Sequence, residues 1–171
     1  RYLRAYGPAT SQDVSWWTGL GDVQVRRALS HLSREILRYP VVGLRDGLVG
    51  LKETLEVLRR EPEACAGVQF LPLWDAYILG WSDRSRIVDD AHAPWLYDGA
   101  GNAASAIVDE GRAVGLWQFR DGEQLVFEYH VFDADKASQV AKRAEEHANV
   151  LARVCGSRDF VVVIRPLPEP L

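Results

Sequence analysis

The chain has 171 residues, 47% of them hydrophobic, with a formal net charge of −4 and two cysteines. That length makes one medium domain or two small ones, with enough apolar residues for a real core. No apolar run approaches the roughly 20 residues needed to span a bilayer, no signal peptide opens the chain, and Cys65 and Cys155 stand far apart, which argues against a disulfide framework and fits a reduced, cytoplasmic setting.

Charge is spread unevenly. Residues 1–60 carry ten Lys and Arg against six Asp and Glu, whereas residues 61–171 carry ten against eighteen. An anionic partner is therefore expected for the front part alone. The chain begins at Arg1 and contains no Met, so it reads as a piece of a longer protein.

Arg1 to Tyr6 looks like the tail of a helix that Gly7-Pro8 stops. Thr10 is placed to cap the next helix, and Asp13, three residues on, completes a near capping box. Val14 and Trp17 would face a core, and Gly19 and Gly21 permit a turn. Asp22 is read as a second N-cap, opening a helix to about Ser33 with its charge at the favourable end of the dipole. On a 3.6-residue wheel Val25, Ala28, Leu29 and Leu32 share one face. Val23, Arg27, Ser30, His31 and Arg34 share the opposite one, with Arg26 on its flank. Arginine suits both phosphate and the O6/N7 edge of guanine, so such a helix can lie in a major groove.

Ile36 to Leu44 reads as a strand, with Pro40 implying an edge. Asp46-Gly47 predicts a tight hairpin whose tip carries Arg45, within reach of a phosphate. Helix, turn, helix and two-stranded wing is the pattern of a winged helix, a module that most often holds duplex DNA. The candidate DNA-binding set is Arg26, Arg27, Ser30, His31, Arg34 and Arg45, with a solvated helix face as the bland alternative.

Lys52 to Arg60 predicts a short charged helix. Glu61-Pro62-Glu63-Ala64 marks the domain boundary, giving a winged-helix domain over 1–61 and a β-rich domain over 62–171. Val68 to Pro72 reads as a strand and leads into a dense apolar and aromatic stretch up to Ser85. Ala104–Asp109, Arg112–Arg120 and Gln124–Phe132 predict an antiparallel meander with turns at Glu110-Gly111 and Asp121-Gly122. Asp133 to Cys155 is the longest helix, with Ala137, Val140, Ala144, His147, Leu151 and Val154 on one face and Gly156 as its stop. Phe160 to Ile164 reads as a buried strand.

Three motifs in order carry a family resemblance. Arg1-Tyr2-Leu3-Arg4-Ala5-Tyr6-Gly7-Pro8-Ala9-Thr10 resembles the start of a winged helix in the AlkZ-like family. These are bacterial winged-helix proteins that include DNA glycosylases able to unhook interstrand crosslinks. The family pattern LLPxFDxYLLGxxDR is similar to the run from Phe70 to Arg84, and VDGRVVGxW to the run from Val108 to Trp117. The resemblance implies tandem winged helices followed by a small β-barrel-like domain, of which this chain carries one late winged helix and the C-terminal β domain. Together with the predicted elements this gives an α+β fold: a winged helix-turn-helix, then a small antiparallel β-barrel-like domain with one long C-terminal helix. It implies double-stranded DNA, alkylated or crosslinked, as partner, with no cofactor and no membrane. It also implies a Gln-x-Gln or Gln-x-Asp motif that positions water for hydrolysis of the N-glycosidic bond, upstream of what corresponds to Arg1. Gln24-Val25-Arg26 does not match that motif, so this chain is expected to bind DNA and to lack the catalytic pair. Whether it is itself an enzyme stays open, as does the alternative of a non-enzymatic transcription regulator or protein-interaction module.

The remaining chemistry is thinner. Glu128 and His130 point to one side of a strand; an outward polar face is the preferred reading over an acid–base pair. His147 lies on an apolar helix face and reads as a core histidine. The four His and two Cys show no paired metal spacing, and there is no phosphate-binding Gly loop. Asp75, Asp83 and Arg84 suggest a structural polar cluster. The aromatic residues at 74, 77, 81, 95 and 97 offer either core or a stacking surface for an extruded base.

Overall fold

The computed structural model describes residues 1–42, 44–58, 60, 67–156 and 159–171, and for 44, 45, 55 and 58 the backbone alone. Chain contacts divide into two compact units, Arg1–Glu63 with Leu79–Asp83, and Ala64–Ile78 with Arg84–Leu171. The run read as the boundary, 61–64, lies outside the described residues. The architecture is mixed α+β, and no helix among the described residues is long and apolar enough to cross a membrane.

The first unit opens with α1 (Tyr2–Tyr6), ended at Gly7, and α2 (Ser11–Thr18). The capping box forms at the start of α2. Thr10 Oγ1 accepts from the Asp13 N–H at 3.0 Å, and Asp13 Oδ2 accepts from the Thr10 N–H at 2.9 Å. Two otherwise unpaired amide groups are satisfied at once. Helix α3 (Asp22–His31) is capped by Gly21, not Asp22, because Gln24 Oε1 takes the Gly21 N–H at 3.0 Å; Asp22 becomes the first helical residue. The core joins Tyr2, Leu3, Ala9, Val14, Val25, Leu29, Ile36 and Val49. Trp17 is only partly covered, at 41% exposed, with its ring against Tyr6 at 4.6 Å, and Ala28 is exposed.

Strands β1 (Ile36–Val41) and β2 (Leu44–Leu51) form the antiparallel hairpin. Its tip is not where the Asp-Gly pair placed it. Tyr39 pairs with Leu48 and Val41 with Leu44, so Arg45-Asp46-Gly47 bulges opposite Pro40. Gly47 has φ +62°, and a Cβ there would stand 2.1 Å from the Tyr39 carbonyl oxygen. Positive φ and missing bulk serve a bulge as well as a turn, which is why the local signal misassigned the tip. Helix α4 (Lys52–Leu58) follows.

Residues 79–83 return to this unit through named contacts. Tyr2 Oη donates to Gly80 O (2.8 Å), Trp16 Nε1 to Leu79 O (3.3 Å) and Trp81 Nε1 to Tyr6 O (3.1 Å). Asp13 is fully buried, and its Oδ1 accepts from both the Ser82 N–H (2.9 Å) and Ser82 Oγ (2.8 Å). Burial alone would raise its pKa. The hydrogen bonds from Thr10 and Ser82 outweigh that and hold the carboxyl below the usual 3.8.

The second unit holds a five-stranded sheet in the order β3 (Gln69–Leu71), β4 (Ala106–Asp109), β5 (Arg112–Arg120), β6 (Leu125–Val131), β7 (Phe160–Ile164). The first four run antiparallel, and β7 lies parallel to β6. A parallel neighbour needs a crossover, and α6 (Ala137–Cys155) supplies it. The sheet stays open, with β3 and β7 as its edges, so no closed barrel forms among the described residues. The edge position also explains why β7 is half-covered, with Val161 37% and Ile164 51% exposed.

Helix α6 covers one sheet face through Val140, Ala144, Ala148 and Ala152, packed on Val68, Ile107, Trp117, Leu125, Phe127 and Tyr129. Val154, expected on that stripe, is 78% exposed; the stripe drifts instead to Ala148 and Ala152. His147 stacks on Phe70 at 4.8 Å and meets Trp117 edge-on at 5.1 Å. Burial, and next the nearby Arg143, hold its pKa below 6.5. A depressed folded pKa means the unfolded chain binds the proton more readily, so stability should fall as pH drops through the ordinary histidine range. Melting temperatures of wild type and His147→Phe from pH 7.5 to 5 test this: only the wild-type curve should carry that acid-side loss.

Glu128 and His130 are not an outward face: they are 5% and 8% exposed. The chain after β7 folds over them. Trp95 Nε1 donates to Pro168 O at 2.8 Å, and the Leu171 N–H to Pro94 O at 2.9 Å. His130 Nδ1 meets Pro166 O at 2.6 Å. Glu128 is held by Gln118 and Arg120, each at 2.9 Å, and by Arg165 at 3.4 Å. Its carboxyl is burdened by burial, yet these partners keep its pKa lowered. Both oxygens are engaged, which suits a structural anchor and not an acid–base pair.

Candidate nucleic-acid interface

Ten residues of α3 give a rod about 15 Å long. Val25 and Leu29 are buried and fix its inner side. Arg27, Ser30 and His31 all stand exposed on the outer side, beside Val23. The Ser30 hydroxyl donates back to Arg27 O at 2.8 Å. That fixes its rotamer and leaves its lone pairs outward as acceptors.

Arg26 points elsewhere. With Ser11, Asp22, Leu29, Arg38 and Asp46 it lines a cleft of about 440 Å³ between the start of α2, α3 and β2. Arg38 was invisible to the sequence reading, since its strand context gave no reason to join it to α3. The two aspartates offset the two arginines here, so the cleft is close to neutral.

Arg34 is exposed but lies past the helix end, because α3 stops at His31 and Leu32 caps it. Its wheel position on the outer face therefore does not apply; its backbone carbonyl is taken by Lys52 Nζ at 2.7 Å. The side chain of Arg45 lies outside the described residues. The structure thus brings Arg27, Ser30 and His31 together, sets Arg26 beside Arg38, and separates Arg34 from both. Among the described residues, no ion pair engages Arg26, Arg27, Arg34 or Arg38. Such charges can meet an anion without first breaking an internal bond.

Comparison with known proteins gives a consistent result. The chain is 28% identical over 159 residues to the interstrand DNA cross-link repair glycosylase of Streptomyces sahachiroi, covering 91% of this chain and 41% of that protein. The solved structure of Streptomyces sahachiroi DNA glycosylase AlkZ superposes with a TM-score of 0.72 at 26% identity, over 96% of this chain and 43% of that one. The chain therefore spans about two fifths of the length of the relatives it matches. The profile of the DNA glycosylase AlkZ-like family matches residues 1–150, and by the extent of that match the chain belongs to this family.

Proposed function

We propose that this chain is a DNA-holding portion of an AlkZ-like glycosylase. In this reading residues 1–61 form a winged helix, α3 is its recognition helix, and the β1–β2 hairpin is its wing. Arg27, Ser30 and His31 address the groove, and Arg26, Arg34 and Arg45 contact the backbone of duplex DNA. The β-rich residues 62–171 form the accompanying domain. The observation that carries the reading is the exposed outer face of α3, whose Arg27 has no ion-pair partner among the described residues, in a chain of this family. The reaction of the whole enzyme is hydrolysis of the N-glycosidic bond of an alkylated base. The name of the Streptomyces relative points to crosslinked DNA as the substrate class. No Gln-x-Gln or Gln-x-Asp occurs among these 171 residues, so the chain by itself is expected to release no base.

Fluorescence anisotropy with duplex DNA at several salt concentrations tests the proposal. Affinity should fall steeply with salt, because each neutralised phosphate releases bound counterions. Losing one phosphate contact should reduce the log–log slope by about 0.9. Arg26→Ala with Arg34→Ala removes two such contacts and should reduce the slope by about 1.8, uniformly across sequences, whereas Arg27→Ala should narrow any preference between sequences. Duplex binding that is absent, or indifferent to salt, refutes the groove reading.

A further inference from the structure

Five aromatic residues were open to either a packing or a stacking role, and the structure sorts them. Tyr77 Oη donates to Gly111 O at 2.8 Å. Trp81 is bonded to Tyr6 O at 3.1 Å, with its ring edge-on to Tyr6. Trp95 is bonded to Pro168 O at 2.8 Å. Tyr97 lies under the Arg84 guanidinium at 4.5 Å, and burial pushes its phenol up to about 12. Trp74 differs. It is 59% exposed, the most open of the six tryptophans, and no ring lies against it among the described residues.

Its backbone is unusual as well. The Asp75 N–H donates to Pro72 O at 3.2 Å, closing a turn over Pro72-Leu73-Trp74-Asp75. Trp74 has φ +58° and Leu73 does not share the positive φ, the φ pattern of a type II turn with tryptophan in its third position. Glycine or asparagine belongs there, and a bulky side chain strains the backbone. Burial does not compensate, since the ring is out in solvent. The ring is nevertheless held in place. Its Nε1 donates to Asn102 Oδ1 at 3.2 Å, and its backbone N–H to Ala103 O at 3.2 Å. Asn102 is braced in turn by Asp98, through its backbone N–H at 2.8 Å and its Nδ2 at 2.6 Å.

A strained backbone that displays a braced, exposed ring points outward, to something the ring meets. We propose that Trp74 is a stacking platform for an unpaired nucleobase of DNA, with the exposed Leu73 beside it at the apex of the turn. The inference rests on the DNA-binding reading above. With Nε1 already bonded, recognition runs through the flat face, which every base can match. Asp75 and the Asp98 that braces Asn102 put negative charge around the ring, which disfavours a phosphate and leaves the neutral base ring as the fitting partner.

The test is anisotropy with the 171-residue chain on a short paired duplex and on the same duplex carrying one bulged adenine. Wild type should prefer the bulged duplex by at least about fivefold, from the usual worth of one base–aromatic stack. Trp74→Asn, which suits the turn, should lose that preference, bind the paired duplex as before, and melt no lower than wild type. Trp74→Phe should keep part of the preference. The proposal is overturned by Trp74→Asn retaining the preference, by Trp74→Asn melting several degrees lower, or by wild type dimerising through this turn in a way that Trp74→Asn abolishes. Absence of any duplex binding refutes the groove reading and this one with it. Paired-duplex binding without a bulge preference refutes this one alone.

Discussion

Asp13→Ala is expected to destabilise the first unit by about 3 kcal/mol, adding the loss of an N-cap partner to the loss of a charge-assisted hydrogen-bond pair. Asp13 is fully buried and accepts from Thr10 on one oxygen and twice from Ser82 on the other. Alanine leaves the Thr10 and Ser82 amide groups and the Ser82 hydroxyl facing a small void. Neither a solvated surface acid nor a simple helix cap would show so large an effect. The pH dependence separates charge from shape. The folded carboxyl titrates below 3.8, so the unfolded chain takes up the proton first as pH falls. The stability this group supplies is complete well above that value and disappears as pH descends through the folded pKa. Urea denaturation at pH 7 and at pH 3 should therefore show the gap between wild type and Asp13→Ala shrinking at the lower pH. An equal gap at both would mean that the carboxylate charge plays no part.

Gly115→Ala should cost about 3 kcal/mol, near the upper end of the usual penalty for overpacking. An added Cβ would lie 2.1 Å from the carbonyl oxygen of His130, 3.1 Å from its carbon and 3.2 Å from Val131 Cα. All three are backbone atoms of β6, which is hydrogen-bonded to β5 on one side and β7 on the other. A side chain can rotate away from a clash, whereas a strand in mid-sheet must carry its neighbours with it. The glycine of the VGxW motif is thus explained by strand approach. Thermal unfolding of Gly115→Ala against Val114→Ala, next to it, is the check: the half-buried Val114 should cost the smaller amount. Equal melting of Gly115→Ala and wild type would mean the two strands are further apart than the structure has them.

What could be read beforehand depended on how far apart the interacting residues lie in the chain. The Thr10–Asp13 capping box, the inner Val25 and Leu29 of α3, and the β4–β5–β6 meander all follow from local spacing and were legible. The bulge at Gly47 was mistaken for a turn because both conformations ask the same thing of that residue. The burial of His130 was missed because the run that meets it, at Pro166, carried no pattern saying where it would lie, and that of Glu128 because its partners Arg120 and Arg165 come from two different strand ends. Ser82 as a partner of Asp13, 69 positions away, had no local signature at all. At the candidate interface, the exposed helix face was legible from the wheel. The early end of α3, which removes Arg34 from that face, and the cleft that Arg26 of α3 shares with Arg38 of β1 required coordinates.

The return of Leu79–Asp83 to the first unit bears on modularity. A gene-level cut anywhere between 63 and 79 would sever the first unit from a strip that holds hydrogen-bond partners of Tyr2, Tyr6, Asp13 and Trp16. The first unit is therefore not a portable cassette. Recombination, or a protein engineer wishing to transplant it, has to move residues 1–83 as one inheritance, taking along the part of the second unit threaded between them.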